Sequence, residues 1–186
     1  MEFIIEAYDK KDRVGVENIC KETAAPFFQK KKLIEAVPLM FMSYFLDHEP
    51  SLCLIGKDKS GSVAGYVLSS IAPYEEYKKM MKKEYYPQMK KLSFISPLIF
   101  DSVLAIIKND EGMQAQMHID ISPAYQGQGL GSRLIKELQD VLKKAGKNSV
   151  DVTGIEKSGR NLNFYLRNGF KIIREYKGQV DLRLSF

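Results

Sequence analysis

The chain reads as an α/β protein built around a mixed sheet. Two observations carry that reading. Short segments of alternating apolar and polar residues recur along the whole length, with stretches of helical period between them. A glycine-rich turn, Gly127-Gln128-Gly129-Leu130-Gly131, also joins one such strand to one such helix. The 186 residues suffice for one sizeable core, and no repeat, low-complexity tract or linker divides them, so residues 1–186 are expected to form one domain.

Composition narrows the class. The 45% hydrophobic and 27% charged fractions are ordinary for a soluble globular protein. No run approaches the roughly 20 apolar residues that span a membrane. The opening Met1-Glu2-Phe3-Ile4-Ile5-Glu6 lacks the basic and long apolar regions of a signal peptide, so a cytoplasmic location is expected. Cys20 and Cys53 have neither a CxxC partner nor nearby histidines, which argues for buried thiols and against a metal site. The net charge of +5 would favour the approach of an anionic ligand without indicating nucleic acid.

Phe3, Ile5 and Ala7 alternate with polar neighbours and predict a first strand; Asp9 is a candidate N-cap. Val14, Val16, Ile19, Cys20 and Ala24 predict a helix that stops before Pro26. A second helical stretch runs from about Lys30 to Leu46 and is expected to kink or split at Pro38. Residues 51–56 and 63–70 form a hairpin around a polar turn, and Gly65 predicts a bulge or a close backbone approach. Residues 71–110 read as a helical insertion before the fourth strand. Within it, a charged helix is expected to end at Pro87, with solvated lysines, and residues 92–107 read as a short helix pair about Pro97.

Met117, Ile119 and Ile121 alternate with His118 and Asp120, and Pro123 ends that strand. Leu130, Leu134, Leu138 and Val141 or Leu142 then mark a helix closed by Gly146. Residues 149–153 predict a fifth strand, residues 158–169 a short helix, and residues 170–176 and 180–186 two last strands.

Where a strand hands over to a helix N-terminus, unpaired amides and the helix dipole can hold a phosphate. A Walker-type loop needs Lys-Ser/Thr after its last glycine, and Ser132-Arg133 stands there instead. A dinucleotide fingerprint needs a third glycine where Ser132 stands, although Asp151 lies at the distance of a ribose-binding acid.

The remaining pattern, Gln126-x-x-Gly129-x-Gly131, resembles the acyl-CoA pyrophosphate loop of the GNAT superfamily of N-acetyltransferases. Asn161-x-x-Phe164-Tyr165-x-x-x-Gly169-Phe170 resembles that family's second motif. Residues 113–177 carry the specific likeness, as an acetyl-CoA-binding core. Ser158 with Asn161 is similar to a puromycin-type subset, and residues 118–127 resemble the acetyltransferase-like domain found beside O-GlcNAc hydrolases.

The resemblance implies a GNAT fold: about seven strands, splayed between the fourth and fifth, the fourth bulged, with flanking helices. It implies acetyl-CoA as co-substrate, no metal, and transfer of the acetyl group to a primary amine of a small molecule or peptide. The implied cofactor contacts are Ile119 and Ile121 through their backbones, Gln126, Gly127, Gln128, Gly129, Leu130, Gly131, Ser132 and Arg133 of the loop and helix start, and Ser158, Asn161, Phe164 and Tyr165 from the other side. Lys136 joins Arg133 as a candidate for the nucleotide 3′-phosphate. Tyr165 is the implied proton donor to the CoA thiolate. His118 and Asp120 are the candidates for the base that an attacking amine needs. The alternative is a non-catalytic acyl-CoA-binding or protein-interaction module. No membrane or nucleic-acid partner is expected, and the oligomeric state, a homodimer included, stays open.

Overall fold

The computed structural model describes residues 2–108 and 112–186; Met1 and the end of the expected 71–110 insertion lie outside the described residues. Seven strands are formed: β1 (Ile4–Ala7), β2 (Leu54–Lys57), β3 (Val63–Ser70), β4 (Gln116–Ile121), β5 (Ser149–Glu156), β6 (Lys171–Tyr176) and β7 (Gln179–Ser185). They make one open sheet in the order β1-β2-β3-β4-β5-β7-β6. Every neighbouring pair is antiparallel except β4 and β5, which are parallel. This is the expected mixed sheet.

Side-chain alternation divides the core between the two faces of the sheet. On β3, Tyr66 and Leu68 face one cluster and Val67 the other, and Ala64, at the register shift with β2 between Gly56 and Lys57, joins Val67. The first cluster is covered by α1 (Arg13–Thr23), α2 (Lys31–Ile34), α3 (Val37–Phe41), α4 (Ser43–His48) and the helices between β3 and β4. The second is covered by α8 (Leu130–Lys144) and α9 (Arg160–Arg167), with Leu130, Leu134, Leu138 and Leu142 buried along one stripe of α8. The helical stretch at Lys30–Leu46 does split, and Pro38 falls in the first turn of α3, where a missing N–H leaves no bond unmade. Gly65 is a close approach, as predicted: a Cβ there would lie 2.9 Å from the Asp120 carbonyl oxygen.

The insertion holds α5 (Tyr74–Met80), a π turn (Met81–Tyr85), α6 (Tyr86–Leu92) and α7 (Ser96–Lys108). Two expectations are corrected here. Pro87 does not end the charged helix; it enters the first turn of α6, and the chain continues through the π turn. Tyr77, Met81, Tyr85 and Met89 are buried at intervals of four. At about 3.6 residues per turn an α-helix would carry such a stripe off its face, and the wider π turn restores it. Pro97 likewise opens α7 instead of dividing a helix pair, so the apolar run is one helix. Lys82, Lys83, Lys90 and Lys91 are exposed, a solvated face as expected.

The splay between β4 and β5 is present. β4 pairs with β3 without interruption from Gly65↔Ile121 to Ser70↔Gln116, whereas β4 meets β5 at the single pair Gln116↔Asp151. The unbroken register corrects the expected bulge in β4. The irregularity lies in β5 instead, where the register with β7 shifts between Val152 and Ile155 and Gly154 takes φ +73°. Asp181, fully buried on β7, holds that shift in place. Its carboxylate accepts from the Gly154 N–H and the Tyr176 hydroxyl, both at 2.8 Å, and pairs with Arg174. Asp151 is equally buried and accepts two hydrogen bonds from the Arg183 guanidinium, at 2.7 and 2.5 Å, which holds it in a structural pair.

Asp181→Ala strands the Arg174 charge and frees the Gly154 amide, so urea unfolding should show a loss of about 3 kcal/mol. Burial also pushes the Tyr77 and Tyr85 hydroxyls well above the ordinary tyrosine range. The unfolded chain releases these protons near pH ~10 and the folded chain only at higher pH. Their contribution is therefore complete below pH ~10 and lost as pH rises beyond it. The urea midpoint should fall steeply from pH ~10 upward, and less steeply in Tyr77→Phe.

Candidate active site

The splay opens a cleft of about 750 Å³ between the end of β4, the start of α8 and the side of α9. The connection from β4 to α8 is a 3₁₀ turn (Pro123–Tyr125) followed by the glycine loop. Tyr125 ties it to the β2–β3 turn, its hydroxyl donating to Asp58 at 2.6 Å. Gly129 is the N-cap of α8 at φ +83°, a conformation that disfavours any side chain, and no side chain caps the helix. The first-turn amides of α8 consequently face the cleft without a protein side-chain partner. Gly131 packs under the Phe164 ring, where a Cβ would come within 3.0 Å of it.

Twelve of the residues implied from sequence line this cleft: Ile119, Asp120 and Ile121 of β4; Gln126, Gly127, Gly129, Leu130, Gly131 and Ser132 of the loop and α8; and Asn161, Phe164 and Tyr165 of α9. Gln128, Arg133, Lys136 and Ser158 are exposed and are not among the lining residues. Ser158 precedes Gly159, which is the N-cap of α9. The Gln126 side-chain amide donates to the Ile121 carbonyl at 3.0 Å and so braces the end of β4. The cations that line the cleft are Arg160 and Arg167, one on each end of α9, which the sequence reading passed over. Their spacing of seven places both on one helical face, and that spacing was the available signal.

His118 and Asp120 stand together as expected. His118 Nε2 lies 3.6 Å from Asp120 Oδ2, and the imidazole stacks on Phe41 with ring centroids 6.0 Å apart. A third member was missed. Tyr66, the cross-strand partner of Asp120, is fully buried and donates its hydroxyl to Asp120 Oδ2 at 2.6 Å. The Tyr66 hydroxyl oxygen is also 3.5 Å from His118 Nδ1. Burial, then the Asp120 charge, push the Tyr66 phenol well above its ordinary range, so it remains a donor to the carboxylate. Cys20, behind Tyr66, is pushed up to about 12 by burial and then by Asp120, and stays a thiol. In sequence Tyr66 is one apolar-face residue of a hairpin strand, with nothing local to link it to Asp120.

Tyr165 is buried, and its hydroxyl has no hydrogen-bond partner among the described residues. Burial, followed by the Asp120 charge, holds the phenol well above the usual tyrosine range. Tyr165 also lines a second cavity of about 240 Å³ on the other side of β4. The two spaces share Ile119, Asp120, Asn161 and Tyr165. A long anionic ligand in the cleft and a small molecule in the cavity would therefore meet at the Asp120 carboxylate and the Tyr165 phenol. Among the described residues no group of three or more His, Cys, Asp or Glu side chains is arranged to hold a metal ion.

Comparison with known proteins bears on this arrangement. The family model for the acetyltransferase (GNAT) domain matches residues 100–172, a span from α7 to β6 that contains the glycine loop and Tyr165. No curated protein matches the sequence. Among solved structures the chain is similar to SsHAT, with TM-score 0.84 and 22% identity over 100% of this chain and 98% of that one. It is similar to the PaiA N-acetyltransferase from Thermoplasma acidophilum in complex with coenzyme A, with TM-score 0.66 and 14% identity over 100% of both chains. A chain of the NatC complex bound to Gag peptide and CoA gives TM-score 0.62 and 15% identity over 100% of this chain and 99% of that one. At these identities the likeness is one of fold. The chain therefore has the GNAT fold over its whole length, with the acetyltransferase (GNAT) domain model matched from α7 to β6.

Proposed function

We propose that the protein transfers an acetyl group from acetyl-CoA to a primary amine of a small molecule or peptide, by direct attack in a ternary complex. The observation that carries this reading is the meeting of two cavities at Asp120 and Tyr165. The larger takes the pantetheine and pyrophosphate. Pyrophosphate oxygens suit the uncapped amides at the start of α8, with Arg160 and Arg167 near at hand. The edge of β4 that β5 leaves unpaired offers the backbone groups of Ile119 and Ile121 to the amide-bearing arm.

In the reaction the amine nitrogen attacks the thioester carbon, the N–C bond forms and the C–S bond breaks. The nitrogen gives up one proton to Asp120, directly or through His118, and CoA departs as the thiolate, which takes its proton from solvent on release. A CoA-type thiol has a pKa near ~8.5, below that of a phenol raised by burial. Tyr165 thus serves the thiolate mainly as a hydrogen-bond donor, stabilising charge as the C–S bond opens. Tyr66 holds Asp120 toward the junction and leaves the carboxylate's other oxygen for the amine.

The reading is tested by following thiol release with an amine library, alongside calorimetric titration of acetyl-CoA. Tyr165→Phe should lower kcat by on the order of 100-fold with acetyl-CoA affinity little changed. Because that phenol stays protonated, the substitution should lower the pH profile of kcat without altering its shape up to pH ~10. Asp120→Asn should lower kcat/KM by about 100-fold or more, since the nitrogen proton then has no carboxylate to accept it. Unchanged turnover in both variants would remove these roles. Tight acetyl-CoA binding with no thiol release for any amine would point to a non-catalytic binding module.

A further inference from the structure

The chemistry of the smaller cavity points to a class of acceptor, an inference that rests on the transfer reading above. The walls of this ≈ 240 Å³ space are apolar: Met40 and Phe41 of α3, Phe45 of α4, and Phe100, Val103 and Ile107 of α7. Tyr77 of α5 adds a fully buried ring whose hydroxyl makes no hydrogen bond among the described residues. Polar groups come from the sheet and α9: Gln116, His118 and Asp120 on β4, Thr153 on β5, and Asn161 with Tyr165 at the junction. Among the described residues Asp120 is the one carboxylate that lines the cavity, and no lysine or arginine lines it.

This distribution selects by charge. A polyamine would bring a second ammonium to walls that hold no second carboxylate among the described residues. An amino acid would bring a carboxylate with no cation to meet it. An aminoglycoside would bring many hydroxyls to walls with few partners, each lost hydrogen bond being an unrecovered cost. An uncharged aryl or alkyl body, by contrast, exchanges water for Phe, Met, Val and Ile surface. Size selects too, since the cavity is smaller than the roughly 300–1,000 Å³ of sites for drug-sized ligands.

We infer that the acceptor is a small primary monoamine with an uncharged apolar body, of which a one-ring arylalkylamine is the model. Its nitrogen lies at Asp120 and its ring between α3 and α7.

The test uses 2-phenylethylamine as probe against spermidine, lysine, an aminoglycoside and a short peptide with a free N-terminus. Binding to the CoA-loaded protein is measured by calorimetry and turnover by thiol release with acetyl-CoA. Phenylethylamine should bind, and its kcat/KM should exceed that of each competitor by about 100-fold. A two-ring naphthylethylamine should fall below phenylethylamine by at least about 10-fold in the unaltered protein, which requires no variant to fold. Val103→Phe, which fills the cavity from a position outside the larger cleft, should lower kcat/KM for phenylethylamine by at least about 10-fold while acetyl-CoA affinity is retained. Phenylethylamine binding without thiol release would uphold the acceptor class and remove the transfer reading. Turnover of spermidine or the peptide without phenylethylamine binding would overturn the acceptor class and leave transfer standing. Neither binding nor turnover of any amine would overturn both.

Discussion

The molecule turns on one incomplete pairing. β4 and β5 share a single pair of residues, Gln116 and Asp151, because each strand is already committed to an antiparallel neighbour that leads it away. β4 follows β3 over its whole length. β5 follows β7, and the irregularity at Gly154, held by the buried Asp181, bends it out of line. Two well-paired half-sheets therefore diverge from a common point, and the inner edge of β4 keeps backbone groups without a strand to meet them. Elsewhere an open sheet edge is a liability. Here it is walled by α8 and α9 and becomes the floor of a cleft.

On that floor the electrostatics are economical. Asp120 is the carboxylate at the junction of both cavities, and it is fixed by a cross-strand phenol that cannot ionise while buried beside it. The stacked Phe41–His118 pair lies beside this carboxylate, and both rings and Asp120 line a small third space with Cys20, Thr23 and Phe28. Charge at this junction is thus governed by a neutral donor, whose strength in a buried site comes from the absence of competing water.

Local pattern made much of this legible. The alternation at residues 117–121, the glycines at 127, 129 and 131 and the stripe on α8 each follow from steric rules acting within a few residues, and each is found in place. Long-range pairing was less accessible. Tyr66 and Asp120 meet only because β3 and β4 share a particular register, which periodicity does not specify. The prolines at 87 and 97 were misread for a related reason: a proline can stop a helix or begin one, and the side on which the helix lies depends on burial of the surrounding stripe. Gln126 shows a subtler limit. Its side chain found a backbone carbonyl nearby, a local competitor that a ligand-based reading does not consider.

The insertion between β3 and β4 has a consequence for how this protein could diversify. Tyr77, Phe100 and Ile107 belong at once to the wall of the smaller cavity and to the main hydrophobic cluster beneath the sheet. A selective wall carried on a surface loop can change without touching the fold. Here the residues that would have to vary to reshape the cavity are the same ones that keep the chain folded. Change in what the cavity admits is therefore tied to thermodynamic stability, and a lineage can reshape it only as far as its stability margin allows.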